Sequence, residues 1–237
     1  MNPAEFLQNA QDFLPILLQG AWVTIQITVL SFLLSSAIGL VLALLKLSPI
    51  KALSWAASTV INVIRGLPII VQLFYIYFVL PDMGVHLSAF QAGVIGMGIA
   101  YSAYQAENFR TGIIAVEQGQ REAAEALGMR SVLMMRRVIL PQAFRIALPP
   151  YGNTLVMMLK DSSLVSTITV AEMTRQGQLI ASSTFQNMTV YTLVALLYLL
   201  MSLPPVKCVM PSWISSSVIA LGWNETRKVG HVVPQWV

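Results

Sequence analysis

The N-terminal part of this chain contains a long stretch without a charged residue. No charged residue occurs between Asp12 and Lys46, and residues 21–45 alone exceed the roughly 20 apolar residues with which a helix crosses a bilayer. Charged residues make up only 10% of the whole sequence, against about 25% in soluble proteins. We therefore predict an all-α integral membrane protein.

Five segments are predicted to span the membrane, at about residues 21–45, 53–79, 87–109, 150–170 and 188–203. Pro68 should kink the second span, because proline removes a helical hydrogen bond. Gly and Ala are frequent in the third span, which favours close helix packing. A loop is predicted after residue 170. Pro204 and Pro205 are predicted to end the fifth span, which leaves residues 204–237 as a separate tail.

The basic residues indicate an orientation. Two lie between the first and second spans, six lie in residues 110–149 and three follow residue 204, whereas the loops of the opposite side contain only Arg175. Because cytoplasmic loops are enriched in Lys and Arg, we predict that the N-terminus lies outside and the C-terminus in the cytoplasm. The first 20 residues contain no Lys or Arg, so a cleaved signal peptide is not expected. The net charge of +4 reflects this asymmetry rather than nucleic acid binding.

The residues present argue against several chemistries. Cys208 is the only cysteine, so a disulfide within the chain is impossible, and His86 and His231 are too isolated to suggest a metal site. No Gly-x-x-x-x-Gly-Lys-Ser/Thr sequence occurs, so ATP cannot be bound by a loop of that kind. The zinc-protease and serine-hydrolase signatures are absent as well. We predict no catalytic residues, no metal and no cofactor bound by this chain.

The polar stretch 110–149 contains a predicted helical knob. Residues 122–127, Glu-Ala-Ala-Glu-Ala-Leu, favour a helix, Gly128 should turn the chain, and Pro141 should end the second helix. Two interpretations remain open on composition alone. The knob either packs into a groove of a partner or lies on the anionic leaflet as an amphipathic helix. In the first case Met129, Met134 and Met135 are expected to fill the groove.

The spacing within this knob resembles the EAA loop of bacterial ABC import permeases. That pattern reads Glu-Ala-Ala, three residues, Gly, nine residues, Ile, one residue and Leu-Pro. The matching positions are Glu122, Ala123, Ala124, Gly128, Leu140 and Pro141. Val138 occupies the isoleucine position.

Other stretches resemble the polar amino acid subfamily of these permeases, whose members carry glutamine, histidine, arginine, cystine or opines. They are RGLPIIVQLFYIYFVLP, AYQAENFRTGI, VEQGQREAA, ILPQAFRIALPP and LKDSSLVSTITVAE, and the similarity covers roughly residues 20–203. Leu67 stands where members usually have Thr, and Asn108 where they usually have Ile.

The resemblance implies a fold, a function and partners. It implies a permease of the type I ABC importer fold in the bacterial inner membrane, with a periplasmic N-terminus. The EAA segment, about residues 117–145, would be a coupling helix seated on a cytoplasmic ATPase dimer that binds the ATP. A second permease subunit, identical or similar, and a periplasmic solute-binding protein would complete the importer.

Polar residues inside the predicted spans fall into two groups. Charged side chains are costly in a membrane and need partners or water, so a pairing or gating role is favoured for the first group: Arg65, Glu107, Lys160 and Asp161. The second group comprises the candidates for contact with solute along a translocation path: Gln72, Tyr101, Tyr104, Gln105 and Asn108. Gln and Tyr can each donate to a carboxylate or accept from an ammonium group.

Alternatives remain at this stage. The solute could be a small polar compound other than an amino acid, and a passive channel, a scaffold or an intramembrane enzyme are less favoured functions. The tail 204–237 departs from the family, either as a divergent end or as an interfacial helix around residues 213–223.

Overall fold

The computed structural model describes the backbone of residues 3–222, and side chains within residues 6–204 except Leu7. In this described part the chain is all-helical, as predicted, and contains no β-strand. The α-helices are α1 (Pro3–Lys46), α2 (Lys51–Gly66), α3 (Ile69–Phe74), α4 (Ala89–Ile114), α5 (Gln118–Ala126), α6 (Ser131–Met134), α7 (Leu140–Asp161), α8 (Met173–Thr184) and α9 (Asn187–Gly222). Shorter π and 3₁₀ turns are Tyr75–Val79, Leu80–Met83, Met135–Ile139 and Ser162–Ile168.

Length and composition identify two straight helices that can cross a membrane, Gln8–Lys46 and Asn187–Pro204. Two further pairs of helical segments qualify only if each bent pair is counted as one span. The 26-residue α4 is long enough to cross a membrane, but its many Gly, Ala and polar residues make it less apolar than these two helices. Among the described residues this gives up to four apolar spans besides α4, so the predicted count of five is not established.

The second predicted span bends where the sequence indicated. Lys51–Gly66 and Ile69–Met83 meet at 99°, because Pro68 cannot donate to the helix and Leu67 before it is extended (φ −100°, ψ 134°). Gln72 closes the break, since its side-chain Nε2 donates to the carbonyls of Ile64 (2.9 Å) and Leu67 (3.0 Å).

Pro141 does not end a helix, which corrects the sequence prediction. It lies in the first turn of α7, directly after the π-turn Met135–Ile139. The wider π-turn places an extra residue in the helix just where a proline ring would otherwise meet a carbonyl of the preceding turn. As a result α7 begins ten residues before the predicted start of the fourth span at residue 150.

The region after residue 170 differs from the prediction, because the expected loop contains the helix α8. Pro204 and Pro205 do not end the helix, since α9 continues to Gly222, but the apolar segment Asn187–Pro204 covers the predicted fifth span. The interpretations of the tail as a divergent end or as an interfacial helix around residues 213–223 stay predictions, and Trp223 lies outside the described residues.

Glycines allow α4 to approach its neighbours closely. A Cβ atom on Gly39 of α1 would lie 2.7 Å from Gln105 Cβ and 2.8 Å from the Ser102 carbonyl oxygen of α4. A Cβ on Gly112 of α4 would lie 2.7 Å from the Ala143 carbonyl oxygen of α7. These approaches leave no room for a methyl group, so α1, α4 and α7 meet through their backbones, as expected for small residues in a membrane.

We expect Gly39→Ala to destabilise the fold by about 1–3 kcal/mol, since the added methyl forces α1 and α4 apart. Gly66→Ala is the matched control, because no atom lies within 4 Å of a Cβ at that position. The midpoint of thermal unfolding in detergent micelles should fall for Gly39→Ala and stay the same or rise for Gly66→Ala. Equal midpoints for the two variants would contradict the close contact.

Candidate coupling surface and translocation path

The EAA motif forms a helix, a tight turn and a second helix. α5 ends at Ala126, and the turn places Gly128 at φ +71°, where glycine is favoured over other residues. Backbone hydrogen bonds close the turn, from Gly128 N to the Glu125 carbonyl (2.8 Å) and from Met129 N to the Ala124 carbonyl (3.1 Å). The predicted bend at Gly128 is therefore present.

The motif residues divide between an inner and an outer face. Ala124 is buried, whereas Glu122, Ala123, Leu140 and Pro141 are exposed. Glu122 is the fifth residue of α5 and accepts a hydrogen bond from Gln118 Nε2 (2.9 Å).

Apolar side chains on the outer face are unusually exposed. Leu127 is 77% exposed and Val132 is 81% exposed. Met134 and Met135, which were expected to reach a partner, instead pack on a cluster of this chain's own residues. That cluster comprises Ile113, Val116, Ile139 and Ala143. The exposed apolar surface is thus supplied by Leu127 and Val132.

A charged cluster ties the base of this loop to three helices. Glu107 of α4 forms an ion pair with Lys46 at the end of α1 and a second one with Arg110 (2.8 Å to Nε). The Lys46 carbonyl also accepts from Ser54 Oγ of α2 (2.9 Å). Nearby, Arg121 of α5 donates to the Ile113 carbonyl at the end of α4 (2.8 Å). The loop is therefore bonded to the end of α4, and α4 in turn pairs with the end of α1.

Four of the five candidate path residues lie on one face of α4. Tyr101, Tyr104, Gln105 and Asn108 follow the i, i+3, i+4, i+7 spacing of a single helical face. Gln72 lies elsewhere, at the break between α2 and α3. The structure therefore brings the four α4 residues onto one face, whereas the side chain of Gln72 is hydrogen-bonded at the break between α2 and α3.

The upper half of this face contacts two of the charged residues. Tyr101 Oη donates to Asp161 Oδ2 at the end of α7 (2.5 Å). The rings of Tyr101 and Tyr104 are 5.7 Å apart, and the Arg65 guanidinium carbon lies 5.4 Å from the Tyr104 ring centroid. Lys160 is exposed, and in the described part of the chain its side chain forms no ion pair, so it does not pair with Asp161.

The lower half of the face is a buried polar cluster. Asn108 Nδ2 donates to Gln105 Oε1 (3.1 Å) and to Thr154 Oγ1 of α7 (3.0 Å). Gln105 is completely buried, and its Nε2 has no hydrogen-bond partner among the described residues. Burying an amide donor without a partner costs stability.

Sequence reasoning missed two residues with clear roles in this architecture. Thr154 lies within an apolar segment, and no sequence pattern identified it as functional. Glu172 is completely buried at the N-terminus of α8. An acid directly before a helix-forming stretch could have identified it as a helix cap, but that stretch was predicted to be a loop.

Comparison with known proteins gives a consistent result. The chain is 38% identical over 197 residues to a probable amino-acid ABC transporter permease protein, y4tG, of Sinorhizobium fredii (strain NBRC 101917 / NGR234), covering 83% of this chain and 85% of that protein. It is 40% identical over 189 residues to the L-cystine transport system permease protein TcyB of Bacillus subtilis (strain 168), covering 79% and 81%. A crystal structure of an amino acid ABC transporter with histidines superposes with a TM-score of 0.82 at 41% identity, covering 86% of this chain and 95% of that one.

A family model matches residues 35–205, which include α4, the EAA loop and α7. The relatives are permease proteins, that is, transport subunits rather than enzymes. Together with the helical fold, these matches show that the chain belongs to the family of binding-protein-dependent transport system inner membrane components.

Proposed function

We propose that this chain is the permease subunit of an ATP-driven importer for a polar amino acid or a similar solute such as an opine. The relatives named for amino-acid and L-cystine transport support the solute class. The single observation that carries the coupling is the EAA loop itself, which exposes Leu127 and Val132 while its base is held by Glu107 and Arg121. Such a surface suits docking to another protein better than exposure to water.

The docked protein would be a separate ATPase. The chain has no phosphate-binding loop of its own, so ATP would be bound and hydrolysed on that partner. Closure of two ATPase subunits would push on Leu127 and Val132, and the α5 helix would transmit the push to α4 through Arg121. A second permease subunit, identical or similar, and a periplasmic binding protein would complete the assembly.

The solute would pass along the polar face of α4. An amino acid needs a donor for its carboxylate and an acceptor for its ammonium group, and Gln105 Nε2 and the Asp161 carboxylate are groups of these two kinds. On the same face Tyr101 and Tyr104 lie between them, and Asn108 lies one turn beyond Gln105. Arg65, Glu107, Lys160 and Asp161 would act mainly in pairing and gating.

The orientation follows the basic residues. Lys46 and Arg110 lie near the C-terminal ends of α1 and α4, and Arg121 of α5 contacts the end of α4, which supports a cytoplasmic EAA loop by the positive-inside rule. The N-terminus would then be periplasmic and the C-terminus cytoplasmic in the bacterial inner membrane.

Reconstituted transport tests this proposal. The chain, with its ATPase and binding protein in proteoliposomes, is expected to accumulate at least one labelled polar amino acid or opine, and only when ATP and the binding protein are both present. The panel should include cystine, glutamine, histidine, arginine and octopine, with a neutral sugar as a control solute. Solute entry that is independent of ATP would indicate a passive channel and would overturn the proposal.

A further inference from the structure

Glu172 is a buried carboxylate that neither the coupling surface nor the path explains. It is completely buried between α1, α8 and α9, and among the described residues no Lys or Arg forms an ion pair with it. Burying a carboxylate without a cation is costly unless hydrogen bonds replace its water. The Glu172 carboxylate therefore requires hydrogen-bond donors. The helices that supply these donors are the ones that the carboxylate holds together.

The donors come from three helices. The backbone N–H groups of Thr174 (2.8 Å) and Arg175 (2.7 Å) come from the first turn of α8. Tyr198 Oη of α9 donates at 3.0 Å, and Thr24 Oγ1 of α1 lies at 3.4 Å. Thr24 Oγ1 also accepts from the Met173 backbone N–H at 3.2 Å. A helix cap alone needs only the two backbone donors, so the contacts to Tyr198 and Thr24 are additional.

Close packing surrounds the same point. A Cβ atom on Gly20 of α1 would lie 2.8 Å from Met173 Cα, and one on Gly177 of α8 would lie 2.9 Å from Val194 Cγ2 of α9. An apolar cluster continues along the three helices, including Leu17, Ile180 and Val190. The N-terminal part of α1, α8 and the first half of α9 therefore form one densely packed wedge.

The segment that connects α7 to this wedge is bent and contains a strained residue. Thr169 has φ +68°, an uncommon and strained conformation for a β-branched residue. The helical segments on its two sides, Ser131–Ile168 and Met173–Thr184, meet at 52°. Across the fold, Tyr77 Oη and Thr169 Oγ1 lie 3.3 Å apart in an exposed position. Thr169 is exposed, whereas Val170 next to it is buried in the core, so a change of conformation at this bend would take place at Thr169.

We infer that Glu172 is a positioning residue that holds α8 to α1 and α9 as one body, so that the outer end of the permease moves at the bend of residues 169–171. The inference rests on the proposed function, because it assigns which segments move during transport. α8 then follows α1 and α9, and the turn Ser162–Ile168 moves against them.

Distances between spin labels test this division. In the full permease–ATPase complex, with Cys208 replaced by Ser, one label pair joins α8 to α9 (Ser182 and Leu203) and a second joins the turn before the bend to α8 (Thr167 and Ser182). All three side chains are exposed. Between the nucleotide-free and the ATP–vanadate states, the first distance should change by less than about 2 Å and the second by more than about 3 Å.

Two variants test Glu172 itself. Glu172→Gln exchanges an acceptor oxygen for an amide facing N–H donors, and Tyr198→Phe removes only the donor from α9, so it keeps the cap of α8. Both should broaden the Ser182–Leu203 distance distribution, and both should lower the maximal uptake rate about fivefold with an unchanged KM for the loaded binding protein. Tyr191→Phe, at an exposed position of α9, is the control and should change neither measurement.

The outcomes separate the two proposals. An unchanged distribution in Tyr198→Phe, or a wild-type Ser182–Leu203 distance that shifts with nucleotide as much as the Thr167–Ser182 distance, would overturn the role of Glu172. If Glu172→Gln does not assemble, Tyr198→Phe decides alone. Expected distributions in wild type and variants, without uptake of any amino acid by wild type, would instead count against the proposed function and leave the role of Glu172 standing.

Discussion

Replacing Leu127 and Val132 together by aspartate is expected to abolish ATP-driven uptake while the chain stays folded and membrane-embedded. Both side chains are largely exposed, so their replacement removes almost no packing within the chain. In a complex with the ATPase they would be buried, and each apolar side chain of this size contributes about 1.5–3 kcal/mol on burial. Loss of both should weaken ATPase association by a factor on the order of 10² to 10⁴.

The measurement is recovery of the ATPase with affinity-purified permease, together with uptake in proteoliposomes. Met188→Asp is the matched control, because this residue is 69% exposed but lies at the start of α9, away from the EAA loop. The control should retain the ATPase. If the double variant retains the ATPase as well as the control does, the EAA loop is not the coupling surface, and the alternative of a helix lying on the membrane regains support.

Much of this surface could be predicted from the sequence because it depends on local signals. A glycine at a fixed distance from an Ala-rich helix forces a turn, and Gly128 adopts the positive φ that such a turn needs. Which side chains point outward could not be predicted. Met134 and Met135 pack on the chain's own cluster at the start of the π-turn Met135–Ile139, and no local pattern predicted that turn.

Prolines account for most of the errors in the fold. Read one at a time, Pro141, Pro204 and Pro205 are helix breakers, and the sequence predicted that a helix or a span ends at each of them. Pro68 does accompany a sharp break, but these three prolines lie within helices. Pro141 is tolerated in the first turn of α7, directly after a π-turn. Membrane helices accept such prolines more readily, since neighbouring groups satisfy the freed carbonyls.

The path residues show the same limit. Helical spacing places Tyr101, Tyr104, Gln105 and Asn108 on one face, and that much follows from the sequence. Their partners, Asp161 and Thr154, lie on α7 and are separated from them by tens of residues. Pairings of this kind depend on the tertiary arrangement of α4 and α7. Asp161 was therefore identified as a buried charge, but its contact with Tyr101 was not predicted.

We expect Tyr101→Phe to lower the maximal rate of uptake about tenfold to a hundredfold. The variant keeps the buried ring beside Tyr104 but removes the hydroxyl that donates to Asp161. A hydrogen bond to a charged group contributes about 1.5–3 kcal/mol, and this one connects the middle of α4 to the end of α7. Without the hydroxyl, the Asp161 carboxylate loses this donor in the arrangement of α4 and α7 seen here. That arrangement becomes less stable relative to the other arrangements of the two helices during transport.

The kinetic pattern decides what Tyr101 does. If the bond sets the relative position of α4 and α7, the maximal rate falls, KM stays within about twofold, and Asp161→Asn, which keeps an acceptor oxygen, loses less than Tyr101→Phe. Tyr191→Phe removes a hydroxyl from an exposed position of α9 and should leave both parameters unchanged. A raised KM at an unchanged maximal rate would mean that Tyr101 binds the solute directly. Since Asp161 accepts from Tyr101, the two residues would then form part of the binding site rather than a gate between helices.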